Sequence, residues 1–103
     1  MITEIKNNDM SMIGAAPVAV VDFNATWCGP CRMLGPVLEE ISEDMAGKVS
    51  FFGVDVDENG ALAREFGVMS VPMVVLLKNG VRQDVKIGFA PKADYVRWIE
   101  SHL

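Results

Sequence analysis

The chain has 103 residues, of which half are hydrophobic and 22% charged, so we expect one compact domain spanning residues 1–103 rather than a disordered chain. A formal net charge of −5 and a pI near 4.7 make nucleic acid and anionic membranes unfavourable partners. The apolar stretch 12–21 is too short to span a bilayer, and no basic segment precedes it as in a signal peptide. We therefore interpret it as a buried strand and the residues that lead into it, and we expect a cytoplasmic protein.

The first half of the chain predicts strand, helix and strand in that order. A short strand near residues 2–5 and an irregular helix come first. The β-branched, almost wholly apolar run from Val18 to Phe23 is typical of a strand covered on both faces. After the cysteines, apolar residues recur at helical spacing up to Gly47, with a bend expected at Pro36. These apolar residues are Met33, Leu34, Val37, Leu38, Ile41 and Met45.

The second half predicts three strands and two helices. We predict a strand at residues 49–55, a short helix at 61–66 and a further core strand at 74–77. Asn79-Gly80 is typical of a tight turn that joins this last strand to residues 81–87 as an antiparallel hairpin. Pro91 opens a last helix on which Tyr95, Val96, Ile99 and Leu103 share one face. The order predicts an α/β fold, a mixed central sheet with helices on both faces.

The segment TWCGPCR, residues 26–32, contains both cysteines of the chain. A disulfide between residues three apart closes a very small loop, so it stabilises the fold little. A structural zinc site needs four ligands, and beyond these two sulfurs there is only the distant His102, so we predict no metal. Cysteines at i and i+3 of a helix suit a disulfide that forms and breaks repeatedly.

The position of the two cysteines relative to the helix predicts their roles. Cys28 stands at the helix start, where unpaired amides and the helix dipole favour an anion. We therefore expect Cys28 to be the exposed nucleophile and Cys31, one turn further in, to be the resolving thiol. Pro30 fits the first turn because its missing amide hydrogen would have been unpaired there anyway.

With the segments VVDF, WCGPC, DVDEN, SVP, LLKNG and IGF in this order, the chain resembles the thioredoxin family over nearly its whole length after Pro17. The resemblance implies the thioredoxin fold in a monomer that reduces protein disulfides through a Cys28–Cys31 dithiol. It implies no bound cofactor, because the redox group is the disulfide itself. The expected partners are disulfide-containing client proteins and thioredoxin reductase, which supplies electrons from NADPH.

The resemblance also assigns a role to Asp22, the one charged residue in a buried run. From the residues alone, Asp22 is either a structural acid or a functional one, since burying a carboxylate costs several kcal/mol unless it is paired or neutral. The resemblance places it beneath the disulfide as proton acceptor and donor for Cys31.

A client-binding surface is implied around the cysteines. Pro72, which could otherwise be an ordinary trans proline, is expected to be cis and to face them, with the Val71 backbone pairing with an extended client. Gly88 would complete this surface, because a side chain there would block close backbone approach. Trp27 could be a core aromatic, but it is better interpreted as part of an apolar patch with Gly29, Pro30 and Val71.

Three residues depart from the family pattern. Asn24 stands where an aromatic residue is usual, Met73 where threonine is usual, and Gly53 where a buried lysine is common. Without that lysine, and unless Lys48 or Lys78 reaches into the core, Asp22 should titrate well above an ordinary aspartate.

Two other functions remain alternatives at this point. The first is a thiol oxidase or isomerase, against which the Gly29-Pro30 dipeptide argues, because oxidising relatives carry a histidine there. The second is a non-enzymatic module of this fold that serves as a partner subunit. Reduction of insulin disulfides in the presence of reductase and NADPH would separate these functions.

Overall fold

A computed structural model describes residues 1–103 and contains one five-stranded mixed sheet. The spatial order is β1-β3-β2-β4-β5, in which β3 lies parallel to β1 and β2, while β4 lies antiparallel to β2 and β5. The predicted mixed α/β sheet is therefore confirmed. The strands are β1 (Ile2–Glu4), β2 (Val18–Asn24), β3 (Ser50–Asp55), β4 (Met73–Lys78) and β5 (Val81–Ile87).

Four helices cover the two faces of this sheet: α1 (Ser11–Ala15), α2 (Gly29–Asp44), α3 (Gly60–Glu65) and α4 (Lys92–Glu100). Successive residues of a strand point to opposite faces, so Val20 packs in one apolar cluster with residues of α2 and α4. Val21 packs in a second cluster with residues of α1 and α3. None of the helices is both long and apolar enough to cross a membrane.

Three apolar residues assigned to the core are exposed instead. Met12 lies on the outer side of α1, so residues 12–15 are helical rather than the approach to a strand. Met33 falls beside the stripe of α2 that packs on the sheet, because only one side of that helix is covered. Leu103 is exposed because α4 ends at Glu100. α2 runs through Pro36 to Asp44, and the bend expected at Pro36 stays a prediction.

Asp84 on β5 binds two aromatic side chains from the C-terminal part of the chain. The indole nitrogen of Trp98 donates to the Asp84 carboxylate at 2.9 Å, and the Nε2 atom of His102 lies 2.9 Å from the same oxygen. The contact with His102 is the largest of the causes that lower the pKa of Asp84. His102 thus ties the end of the chain to the sheet. Trp98 is half-buried here, whereas Phe23, Phe51, Phe52 and Phe66 are buried.

The hairpin between β4 and β5 confirms the turn signal of Asn79-Gly80. Both residues have positive φ, +49° and +80°, as a type I′ turn requires. The amide of Asn79 also donates to the carbonyl of Pro17 at 2.9 Å, which joins the hairpin to the segment after α1. A Cβ at Gly80 would lie 3.3 Å from the backbone oxygen of Gly14, so position 80 is restricted by packing as well as by φ.

We expect Gly80→Ala to lower the free energy of unfolding by about 2 kcal/mol, because alanine is strained at positive φ and its methyl group presses on the Gly14 backbone. Gly47→Ala is the matched control, since Gly47 has a φ of +84° but nothing within 4 Å of an added Cβ. It should cost about 1 kcal/mol. Urea unfolding of both variants measures the difference, and equal losses would contradict the packing contribution.

Candidate active site

The two cysteines lie at the junction where β2 leads into α2. Cys28 is the N-cap residue of α2, and its Sγ atom accepts a hydrogen bond from the backbone amide of Cys31 at 3.2 Å. The Cα atoms of the two residues are 5.3 Å apart and their sulfurs are joined in a disulfide. The predicted position of Cys28 at the helix start is confirmed. An amide aimed at this sulfur stabilises negative charge on it.

The expectation that Cys28 is exposed is wrong. Cys28 is 6% exposed and Cys31 5%, so solvent access hardly distinguishes them. The cause is packing by neighbouring apolar residues, since Ala25 and both cysteines form a small cluster against which Val56 and Val71 lie. The carbonyl oxygen of Val71 is 3.7 Å from Cys28 Sγ. Solvent access therefore does not distinguish the reactivities of the two cysteines, whereas their positions on the helix differ.

Val71 and Pro72 form one side of the site. The peptide bond between them is cis, as expected, and Pro72 is buried. The amide of Gly88 donates to the Pro72 carbonyl at 2.9 Å, which places Gly88 beside this pair. Within the chain, a Cβ at Gly88 would meet nothing within 4 Å, so the intramolecular reason for glycine is its φ of +90°. The expected close approach of a client at Gly88 stays a prediction.

Trp27 lies at the surface and not in the core. Its side chain is 67% exposed and donates its indole hydrogen to the Asp57 carboxylate at 2.9 Å. It borders a small apolar pocket of about 180 Å³ together with Val71 and residues of the segment before it. Met69 in that segment is 95% exposed. Asp57, Val68 and Met69 were not predicted for the site, because isolated residues in loops give no periodic signal.

Gly29 and Pro30, the other members of the proposed patch, form the first turn of α2. Pro30 is exposed and Gly29 is half-buried. Arg32 of the same turn is also exposed, and its guanidinium donates to the Thr26 carbonyl at 2.8 Å. The turn is thereby tied back to the loop that carries Trp27. Of the residues predicted for the client patch, Gly29 and Pro30 thus lie between the two cysteines in the chain, and Val71 packs against the cysteine cluster.

Asp22 lies in β2 at a cavity of about 230 Å³ that Cys31 also lines. The side chain is 5% exposed, and its Oδ1 atom has no hydrogen-bond partner. Burial raises the pKa of Asp22 from 3.8 to about 7, and the Asn24 amide partly offsets this effect. That amide donates to the backbone carbonyl of Asp22 at 3.0 Å, which gives the unusual residue at position 24 a structural role. The expected rise in the pKa of Asp22 is confirmed.

No lysine compensates for Gly53. The residues that line the cavity of Asp22 include neither Lys48 nor Lys78. Instead the carboxylate of Glu4 lies over Gly53, with its two oxygens 2.8 and 2.9 Å from the position that a Cβ would take. The negative charge of Glu4 adds to the rise in the pKa of Asp22. The position of Glu4 was not predicted, because only the pairing of β1 with β3 brings it there.

The chemistry available here is exchange of two electrons through the disulfide, with Asp22 as a nearby group that can change its protonation near neutral pH. Nowhere do three or more His, Cys, Asp or Glu side chains converge in a way that could hold a metal ion.

Comparison with known proteins identifies one family along nearly the whole chain. The family model described as Thioredoxin matches residues 2–101. A protein named thioredoxin from Staphylococcus saprophyticus is 49% identical over 86 residues, which cover 84% of this chain and 83% of the relative. A thioredoxin from Staphylococcus aureus is 40% identical over 102 residues, which cover 99% of this chain and 98% of the relative.

We expect Asp22→Asn to stabilise the fold at neutral pH. A carboxyl whose pKa rises from 3.8 to about 7 on folding keeps its proton in the folded state at pH values where the unfolded state has lost it. Stability is therefore lost as the pH rises from about 4 to about 7, by up to about 4 kcal/mol. Asparagine does not ionise, so the variant should escape this loss.

Urea unfolding of both proteins at several pH values measures the effect. The two stabilities should be close near pH 3, where Asp22 is largely protonated even in the unfolded chain, and should diverge towards pH 7. A variant that is less stable at pH 7, or a difference that does not grow with pH, would contradict this account of Asp22.

Proposed function

This chain belongs to the thioredoxin family and is a thiol–disulfide oxidoreductase that reduces protein disulfides, and we propose that Cys28 is its nucleophile, Cys31 its resolving thiol and Asp22 its proton-transfer group. The observation that carries this proposal is the hydrogen bond from the Cys31 amide to Cys28 Sγ at the start of α2. It favours a thiolate at Cys28 over one at Cys31, although the two residues are equally buried.

In the first step, the Cys28 thiolate attacks one sulfur of a client disulfide. The client S–S bond breaks, a mixed disulfide forms with Cys28, and one client thiolate leaves. In the second step, Cys31 loses its proton and attacks Cys28 Sγ. The mixed disulfide breaks, the Cys28–Cys31 disulfide forms, and the second client thiolate leaves. Two electrons have then passed from the dithiol to the client.

Asp22 is proposed to accept the proton of Cys31 in the second step. Both residues line the same cavity, and the Oδ1 atom of Asp22 has no other partner. A carboxyl with a pKa of about 7 is partly ionised at neutral pH, so it can take up a proton and later return it. When the disulfide is reduced again, the same carboxyl supplies the proton.

The client is proposed to dock across the patch beside the disulfide, formed by Trp27, Gly29, Pro30, Val71, Pro72 and Gly88. Support for this surface comes from the exposed Trp27 and from the Val71 carbonyl, which lies 3.7 Å from Cys28 Sγ. An extended client segment whose backbone pairs with Val71 would have its own disulfide beside Cys28. The apolar pocket next to Trp27 would then receive a client side chain.

Members of this family act with a reductase and with disulfide-containing clients. We propose thioredoxin reductase, with NADPH as the source of the electrons, as the system that regenerates the dithiol of this chain. A monomer in the cytoplasm fits this cycle, because a disulfide that forms and breaks repeatedly needs a compartment that keeps thiols reduced. Oxidase activity and a role as a partner subunit are the competing proposals, which the following assay separates.

We expect the wild-type protein to reduce insulin disulfides with thioredoxin reductase and NADPH, measured as NADPH consumption and insulin precipitation. Cys28→Ser should abolish the activity, because no thiolate remains to attack the client. Asp22→Asn should keep the activity but slow it about tenfold or more at neutral pH, because Cys31 loses its proton acceptor. An inactive wild type would favour the partner-subunit role, and an Asp22→Asn variant of unchanged rate would exclude Asp22 from proton transfer.

A further inference from the structure

One row of residues crosses all five strands of the sheet at the level of Asp22. On one side of Asp22 in β2 lies Gly53 of β3, and beyond it Glu4 of β1. On the other side lies Val74 of β4, and beyond it Lys86 of β5. Directly paired residues project to the same face of a sheet. This row therefore lies on the face covered by α2 and α4, where Val74 packs against residues of both helices.

Glu4 reaches along this row towards Asp22. Its two carboxylate oxygens lie 2.8 and 2.9 Å from where a Cβ of residue 53 would stand, a space left open by the glycine. Glu4 and Asp22 line the same cavity, one at its edge and one inside it. The exposed carboxylate and the buried one are thus separated only by the backbone position of Gly53.

The other charged groups around Asp22 have partners of their own. The guanidinium of Arg32 from α2 lines the cavity but donates to the Thr26 carbonyl. The ammonium of Lys86 lies 5.3 Å from the ring centre of Tyr95, a residue of α4 whose hydroxyl donates to the Gly88 carbonyl at 2.8 Å. Farther along α2, Glu39 accepts from the Ile2 amide. β3 and β4 contribute no charged side chain to this row, because Gly53 and Val74 occupy their positions.

We propose that Glu4 is a positioning residue that acts on Asp22 across Gly53 and favours the neutral form of that carboxyl. The kinetic consequence rests on the proton-transfer role proposed above for Asp22. Glu4 and Asp22 line the same cavity, so an ionised Glu4 repels the carboxylate of Asp22 and favours its neutral form. Burial has the larger effect on the pKa of Asp22, and Glu4 acts in the same direction. Glu4 therefore has the opposite effect to a lysine at position 53.

The test follows the titration of the Asp22 carboxyl carbon by ¹³C NMR in the oxidised protein, where neither cysteine titrates, with Asp22→Asn used to assign the signal. Glu4→Gln should lower the midpoint by about half a pH unit at 0.1 M salt and by more at low salt, because the lost repulsion is Coulombic. Glu4→Lys should lower it further. Glu65→Gln on α3 is the matched control, since it removes the same charge from an exposed site that does not line the cavity.

A midpoint unchanged in Glu4→Gln would overturn the inference, as would an equal shift in Glu65→Gln, which would indicate an effect of net charge alone. The pH profile of insulin reduction then tests the proposed function separately. The profile of Glu4→Gln should move to lower pH with the midpoint of Asp22. If the NMR midpoint moves and the rate profile does not, the inference about Glu4 holds and the proton-transfer role of Asp22 fails.

Discussion

One hydrogen bond distinguishes two otherwise similar cysteines. The Cys31 amide donates it to Cys28 Sγ at the start of α2, the helix that follows β2. Both are almost completely buried, so access to solvent cannot decide which one attacks a client. The first turn of a helix has unpaired amide donors, and only Cys28 is placed to accept from them. The proposed order of the two steps in disulfide exchange rests on this placement.

The central strand β2 positions both Asp22, which lies within it, and the disulfide, which follows it in the chain. Alternate side chains of β2 enter the two apolar clusters of the protein, so the strand is held from both faces. Such packing can hold an unpaired carboxyl in place, and the same burial moves the pKa of Asp22 into the range where it can exchange protons near pH 7. Stability is reduced at neutral pH as a result. The proposed proton-transfer group therefore lowers the stability of the strand that positions it.

Much of this architecture could be predicted from the sequence because the signals were local. The apolar run of β2, the helical spacing of α2 and the positive-φ turn at Asn79-Gly80 each depend on neighbouring residues. The cysteine pair followed from one short segment. The raised pKa of Asp22 followed from its apolar strand together with Gly53, which the resemblance aligns with a buried lysine.

What could not be predicted depends on contacts between distant segments. The burial of Cys28 depends in part on Val56 and Val71, and Val71 lies 43 residues away along the chain. The position of Glu4 over Gly53 depends on how an edge strand pairs with β3, and a three-residue strand carries too little pattern to fix its register. The exposure of Met33 was missed because spacing alone does not say how wide a face of α2 the sheet covers.

The proposed roles of Cys28 as nucleophile and Cys31 as resolving thiol are tested most directly by trapping client proteins. Reduced Cys31→Ser protein is incubated with oxidised insulin, and any covalent adduct is mapped by mass spectrometry, with Cys28→Ser treated in parallel. The structure predicts that Cys31→Ser accumulates a mixed disulfide through Cys28, because no thiol remains to release the client, and that Cys28→Ser forms none. Stable adducts through Cys31 in the Cys28→Ser protein, with none through Cys28 in Cys31→Ser, would contradict this assignment.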